Sequence, residues 1–245
     1  MSDFCNAVEN NIVNSIVGNG TLTKTTSLKL HLHTADPGEA GTSNEVVGGT
    51  YTEQTIVFGA PGAGASGRKV ENTGALTFNL MPAVTVTHWT VKDAATTIWV
   101  KGAFGASVAV PAGGDFDVAI GDIDVEANGD APTFTLDGIL NAFRGNANWT
   151  VTTCKVTLCT GDPGTGVVAN EVGGITRQTV SWNAASDGVI TNNGAITWPT
   201  VGSATASWAC MVRDSDGQVV WTDDIADQTD TDFRITDTSM SVTVD

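Results

Sequence analysis

Positive charge is scarce in this chain: 11 Lys and Arg stand against 27 Asp and Glu over 245 residues, a net charge of −16. A surface of that sign repels phosphate backbones and argues against general nucleic-acid binding. No run of apolar residues approaches the roughly 18 that a membrane-spanning helix needs, so membrane insertion is not expected. The opening Met1-Ser2-Asp3-Phe4 lacks the basic start and apolar stretch of a secretory signal. Cysteine is limited to Cys5, Cys154, Cys159 and Cys210, with no C-x-x-C spacing. Cys154 and Cys159 are five apart on one expected strand and face opposite sides, so four reduced, packed thiols are expected. There is no G-x-S-x-G elbow, Walker A loop, H-E-x-x-H pair or dinucleotide-binding glycine fingerprint. No cofactor and no catalytic residue is therefore expected.

Charged residues make up only 16% of the chain, too few for the polar faces of a helical protein. Thr and Val are plentiful and suit pleated surfaces. Leu28, Leu30 and Leu32 alternate with Lys29, His31 and His33, Val84 and Val86 with Thr85 and Thr87, and Val242 and Val244 with Ser241 and Thr243. A period of two marks half-buried strands. Between them lie turn signals: Asp36-Pro37-Gly38, Gly48-Gly49, Asn72-Thr73-Gly74, Asn193-Gly194 and Asp216-Gly217. A helix is expected where Phe4, Val8, Ile12 and Ile16 recur three to four apart, with Gly18 as its C-terminal cap.

The second half of the chain repeats the first. Ile12 to Asn19 matches Ile139 to Asn146, and His33-Thr34-Ala35-Asp36-Pro37-Gly38 matches Cys159-Thr160-Gly161-Asp162-Pro163-Gly164. Asn44-Glu45-Val46 then matches Asn170-Glu171-Val172, and Gly74 to Phe78 matches Gly194 to Trp198. A repeat of about 120 residues indicates a duplicated domain, since solenoid units run about 20–50 residues. The expected organisation is all-β: two tandem antiparallel β-sandwich or jelly-roll-like domains, residues 1–125 and 126–245, each preceded by a short helix. The second helix falls near 136–144, and the joint lies along Glu126 to Pro132. Each helix must bury its apolar stripe, either on an open end of a sandwich or on a neighbouring subunit.

Several residues invite a chemical reading. His31 and His33 share a strand face, and His88 would be a third candidate metal ligand. The plainer view places them on solvent or at an interface, because the repeat carries Thr157 and Cys159 instead. Asp214-Ser215-Asp216-Gly217, with Asp223, Asp224, Asp227, Asp230 and Asp232 nearby, opens like a calcium loop but lacks the distal Glu. Asp216-Gly217 is also ordinary hairpin chemistry. The glycine-rich stretch Gly59 to Gly67 lacks the following helix of a phosphate loop and reads as a flexible or closely packed loop at a subunit contact. Most of the seven tryptophans are expected in cores, with Trp149, Trp182 or Trp221 available for sugar or subunit contact.

The N-terminal helix, the Leu32 to Gly38 strand end, Asn44-Glu45-Val46, Gly48-Gly49-Thr50-Tyr51 and Val86-Thr87-His88-Trp89 together resemble a family of tailed-bacteriophage virion proteins of the tail-fibre-like or head-decoration type. The resemblance is closer over Asp3 to Val125 than over Phe134 to Val244, where Tyr51 is replaced by Thr176. It implies a non-enzymatic location on the virion, after assembly in the host cytoplasm, with other virion proteins as partners and a homo-oligomeric state. It also makes Asp36, Pro37, Gly38, Asp162, Pro163 and Gly164 turn-setting residues rather than reactive ones. Phe4, Val8, Ile12, Ile16, Trp149 and Trp221 are the expected interface residues. Capsid decoration is the leading expectation, with residues 1–125 as the anchoring half. The alternative is a tail-fibre or tail-tip protein that binds host surface glycan, and a polysaccharide hydrolase is the remaining contender.

Overall fold

The computed structural model describes residues 2–94, 97–128, 131–199, 204–228, 233–236 and 239–243. Gly129 and Asp130 of the expected joint, Asp230 and Asp232 of the acidic run, and Val244 lie outside them. The chain is mainly β, with several antiparallel sheets among the described residues. The expected all-β class holds. Two helices are present, α1 (Asn6–Ile16) and α2 (Thr133–Phe143).

Two compact units divide the chain, and neither is one continuous stretch. Unit 1 holds Met1–Val8, Thr23–Ala127 and Leu140–Asn148; unit 2 holds Glu9–Leu22, Asn128–Ile139 and Trp149–Asp245.

Unit 1 contains β1 (Ser2–Phe4), β2 (Lys29–His33), β3 (Gln54–Thr55), β4 (Gly62–Ala63), β5 (Gly67–Glu71), β6 (Leu76–Phe78), β7 (Val84–Lys92), β8 (Ile98–Val110), β9 (Phe116–Val118) and most of β10 (Asp124–Asn128). They form sheets in the orders β1-β8-β7-β2-β3, β10-β5-β4 and β6-β9. Phe4 departs from the expected helix: it lies in β1, opposite Val100 of β8, and α1 begins only at Asn6. A short edge pairing thus overrides the apolar spacing at the helix start. The end of α2 is fastened into this unit. Thr25 donates its backbone N–H to Ala142 O at 3.0 Å and its hydroxyl to Phe143 O. The Phe143 ring meets Phe4, Phe58 and Trp99 at centroid distances of 6.4, 4.9 and 6.0 Å.

Unit 2 contains β11 (Cys154–Cys159), β12 (Val189–Thr191), β13 (Ile196–Trp198), β14 (Ala206–Arg213), β15 (Val219–Gln228), β16 (Phe233–Ile235) and β17 (Ser241–Thr243). The sheets are β11-β14-β15, β12-β17 and β13-β16. The body of α1 packs here, with Ile12, Val13 and Ile16 fully buried. Val151 N–H bonds Ser15 O at 3.1 Å, Gly188 N–H bonds Asn10 Oδ1 at 3.1 Å, and Leu22 bridges Trp149. Gly18, at φ +81°, ends the helix as expected and lets the chain pass close to Val151 O.

The body of α1, from the first sequence repeat, therefore belongs to the unit built on the strands of the second, and the end of α2 belongs to the unit built on the strands of the first. Each amphipathic helix buries its stripe within its own polypeptide, but on strands far away in sequence.

The same pairings recur in both units. The β2–β7–β8 ladder is echoed by β11–β14–β15, β6–β9 by β13–β16, and β5–β10 by β12–β17. Isolated bridges recur too: His33–Glu45 with Cys159–Glu171, and Phe58–Asn72 with Trp182–Asn192.

Candidate functional site

The polar residues singled out in the sequence cluster at the end of β2 and in the loop that follows. In that loop Asp36 Oδ1 accepts the Gly38 N–H at 2.8 Å, and Gly38 adopts φ +69°. Asn44 sits in the left-handed region (φ +58°), which asparagine tolerates, and its Nδ2 donates to Asp36 O at 2.9 Å. The loop thus closes on itself and delivers Glu45 back beside β2. Glu45 Oε1 lies 2.6 Å from His31 Nδ1 and Oε2 lies 3.0 Å from Lys92 Nζ, Lys92 coming from the neighbouring β7. Burial opposes charge on Glu45, but the bonds from His31 and Lys92 outweigh it and hold the carboxyl below its ordinary range.

His33 is fully buried, and both its ring nitrogens are engaged, Nδ1 with Ser43 O at 2.8 Å and Nε2 with Thr90 Oγ1 at 3.0 Å. Burial lowers its pKa, ahead of the opposing pull of the Ser43 carbonyl, and keeps it neutral. His88, the register partner of His33, has its Nδ1 2.8 Å from Thr87 Oγ1. A metal shared by the three histidines would have to displace these bonds. Among the described residues no group of three or more His, Cys, Asp or Glu is arranged to hold a metal ion. Tyr51 closes the cluster: its hydroxyl accepts the Leu32 N–H at 2.9 Å, its ring stacks on Phe78, and burial pushes its phenol pKa upward.

Unit 2 builds the same device with other side chains. Asp162 Oδ1 accepts the Gly164 N–H at 2.8 Å, and Asn170, at φ +55°, donates to Asp162 O at 2.8 Å. Glu171 then accepts from Thr157 Oγ1 at 2.6 Å and from Arg177 in a two-point contact at 2.8 and 3.0 Å. The repeated element is a carboxylate that clamps a turn to a strand, with a different cation in each unit. Such a clamp is a fastening rather than a reacting centre.

The remaining candidates fall out one by one. Arg213 grips Asp216 at 3.0 and 2.6 Å, Asp216 also accepts the Gln218 N–H, and Gly217 takes φ +71°: this is a hairpin end. Lys155 pairs with Asp214 at 3.0 Å. The glycine-rich stretch is another hairpin, β4 to β5, with the Ser66 N–H held by Glu126 Oε1 at 2.7 Å. Phe4, Val8, Ile12, Ile16, Trp149 and Trp221 are all buried, at exposures between 0 and 8%, and so are not free to face another subunit. Trp182 is half-buried. Cys159 and Cys210 lie with their sulfurs 3.5 Å apart in the core of unit 2, and burial pushes the Cys154 thiol up to about 12.

One pair of residues escaped the sequence reading. Asn72 is buried and its amide makes four bonds: Nδ2 to Gly74 O at 2.8 Å and Ala119 O at 2.9 Å, and Oδ1 from the Gly121 and Ile123 N–H groups, each at 3.0 Å. Asn192 repeats it with Gly194 O, Thr236 O and the Met240 N–H. The signal was available, because Asn72 and Asn192 each precede an aligned glycine by two residues.

With this geometry in view, the comparison with known proteins is direct. A family model described as podophage GP4 fiber I protein gp80 matches residues 3–126 and 133–230. No curated protein matches the chain. The two matched segments span most of the chain, which defines it as a phage structural protein of fibre type. It belongs to the podophage GP4 fiber I protein gp80 family. The family is one of fibres, so the fibre reading, held second in the sequence analysis, displaces capsid decoration as the better supported.

Proposed function

We propose that this chain is a non-catalytic fibre subunit on the outside of a tailed-phage virion, assembled with other virion proteins and with copies of itself, and placed where it meets host surface glycan. The observation that carries this is the family match across both segments. The geometry supports it, because His31, His33, Asp36, Asp162, Asp214 and Asp216 are committed to turns, clamps and hairpins. Apolar residues left on the surface of unit 1 — Val47, Val57, Leu80 and Ile120, each more than half exposed — offer contact area for neighbouring subunits. The strongly negative surface resists indiscriminate aggregation while such contacts form.

Quantitative mass spectrometry of purified virions provides the test. A copy number matching the rotational symmetry of a tail, with labelled antibody at the tail in micrographs, is expected. A copy number matching the capsomers of the shell would return the protein to the decoration role and overturn the fibre reading.

A further inference from the structure

Unit 1 contains a cavity of about 330 Å³ whose lining contradicts the composition of the chain. The chain carries 27 acidic residues against 11 basic ones, yet this cavity is bordered by Lys24 and Arg144 and, among the described residues, by no carboxylate. Its rim bears the hydroxyls of Thr26, Ser27 and Thr55, all exposed and none engaged with another described residue. Apolar side chains including Phe58 form its floor.

Both cations are positioned for an external partner. The Lys24 backbone is fixed by a bond from its N–H to Asn148 Oδ1 at 2.9 Å, while its ammonium makes no ion pair among the described residues. Arg144 donates Nε to Asn141 Oδ1 at 2.8 Å, which orients the guanidinium and leaves its two terminal nitrogens unspent. Carbonyls at the end of α2 would ordinarily repel an anion here. Two of them are already covered: Ala142 O and Phe143 O accept from Thr25, which removes part of that penalty.

Unit 2 supplies an internal control. Its scaffold is the same: Gly18 mirrors Gly145, both with positive φ, the Val151 N–H to Ser15 O bond mirrors Thr25 to Ala142, and Thr153 (φ +56°) mirrors Ser27 (φ +54°). At the positions equivalent to Arg144 and Lys24 it has Val17 and Thr150. The framework therefore stands without the two cations, and their presence in unit 1 calls for another reason.

We propose that this cavity binds an anionic sugar unit, its acid group between Lys24 and Arg144, its ring hydroxyls on Thr26, Ser27 and Thr55, and its carbon skeleton over the apolar floor. The volume lies at the small end of ligand pockets and suits one saccharide residue. A planar carboxylate matches the forked guanidinium, and the neighbouring hydroxyls match a polyol rather than a bare ion. The assignment rests on the fibre reading, in which the chain meets host surface glycan.

The test uses the purified full chain and ligand-observed NMR with four probes: D-glucuronate, N-acetylneuraminate, D-glucose and inorganic phosphate. At least one acid sugar is expected to bind, with glucose silent at the same concentration and phosphate weaker. Lys24→Ala and Arg144→Ala should each weaken binding about tenfold, as loss of a charged contact does. Lys69→Ala, which removes a half-buried cation paired with Glu71 elsewhere in unit 1, should leave it unchanged. Absence of acid-sugar binding, equal binding of glucose, phosphate binding alone, or indifference to both substitutions would each overturn the site. Incorporation of Lys24→Ala into virions is scored separately: failure of the sugar assay with normal tail incorporation sinks the pocket and spares the fibre reading, whereas absence of the protein from tails sinks the fibre reading.

Discussion

Replacing Asn72 by alanine removes one buried amide that serves four backbone groups: the carbonyls of Gly74 and Ala119 and the N–H groups of Gly121 and Ile123. The Ile123 N–H is buried, whereas Gly74 and Ala119 are exposed and the Gly121 N–H keeps its bond to Asn72 O. A buried polar group without a partner costs about 1–3 kcal/mol, which applies in full to the Ile123 N–H and only in part to the two carbonyls. The alanine also vacates enough polar space for a water, which can re-satisfy two to four of the groups. The expected loss is therefore about 3 kcal/mol. Asn72→Asp discriminates the mechanism. The carboxylate can still accept from Gly121 and Ile123, but it faces two carbonyls it cannot donate to, so its cost should be of similar size despite near-identical shape. The assay is urea unfolding followed by tryptophan fluorescence, with Asn192→Ala as the parallel case in unit 2. Exposed Asn193→Ala is the control and should stay within about 0.5 kcal/mol of the parent. A loss below about 1 kcal/mol for both Asn72 variants would refute the view that these asparagines hold each unit's loops together.

Three further outcomes follow from named contacts. In α2, Gly138→Ala gains about 1 kcal/mol in helix propensity but puts its Cβ 2.0 Å from Trp149 Nε1, so a net loss of about 1–2 kcal/mol is expected in chemical denaturation. Gly20→Ala, whose nearest contact is 3.8 Å, should be close to neutral in the same experiment. Acid should destabilise unit 1 in two stages. His33 has a folded pKa below its ordinary 6.5 and Glu45 one below its ordinary 4.5, so each adds stability above its ordinary value that is lost as pH falls through the folded one. Thermal midpoints measured across pH should show the first stage disappear in His33→Gln, and a first stage that persists would clear His33 of the effect. With a thiol reagent at pH 8, the native chain should show almost no fast reaction, because Cys5, Cys159 and Cys210 are buried and Cys154 titrates only near 12; all four thiols should react in denaturant. A rapid single-thiol reaction in the native state would contradict this packing.

What the sequence disclosed depended on whether a feature is local. Asp36-Pro37-Gly38 and Asp162-Pro163-Gly164 fold as short-range chemistry dictates, each aspartate capping the glycine two residues on, and the alternating leucines of β2 face the core as their period requires. Glu45 and Glu171 were visible only as parts of a repeated tripeptide. Their partners, Lys92 and Arg177, sit 47 and 6 residues away, at non-equivalent places in the two repeats, so no comparison of the repeats could have paired them. Asn72 was concealed by its own turn signal: Asn-x-Gly reads as a loop on solvent, whereas here the amide substitutes for a strand by bonding two separate segments. Helix placement was the least legible feature of all. The stripe of Ile12, Val13 and Ile16 states that one face must be buried and says nothing about which strands bury it, since hydrophobic burial is non-directional. With two nearly equivalent sets of strands on one chain, α1 and α2 have nearly equivalent places to dock, and the choice falls to a few specific contacts. Phe143 among Phe4, Phe58 and Trp99 is such a contact, because it carries the end of α2 onto residues of the first repeat. Each helix thereby ties its own end of the sequence into strands from the other, so losing either helix should weaken both units rather than one.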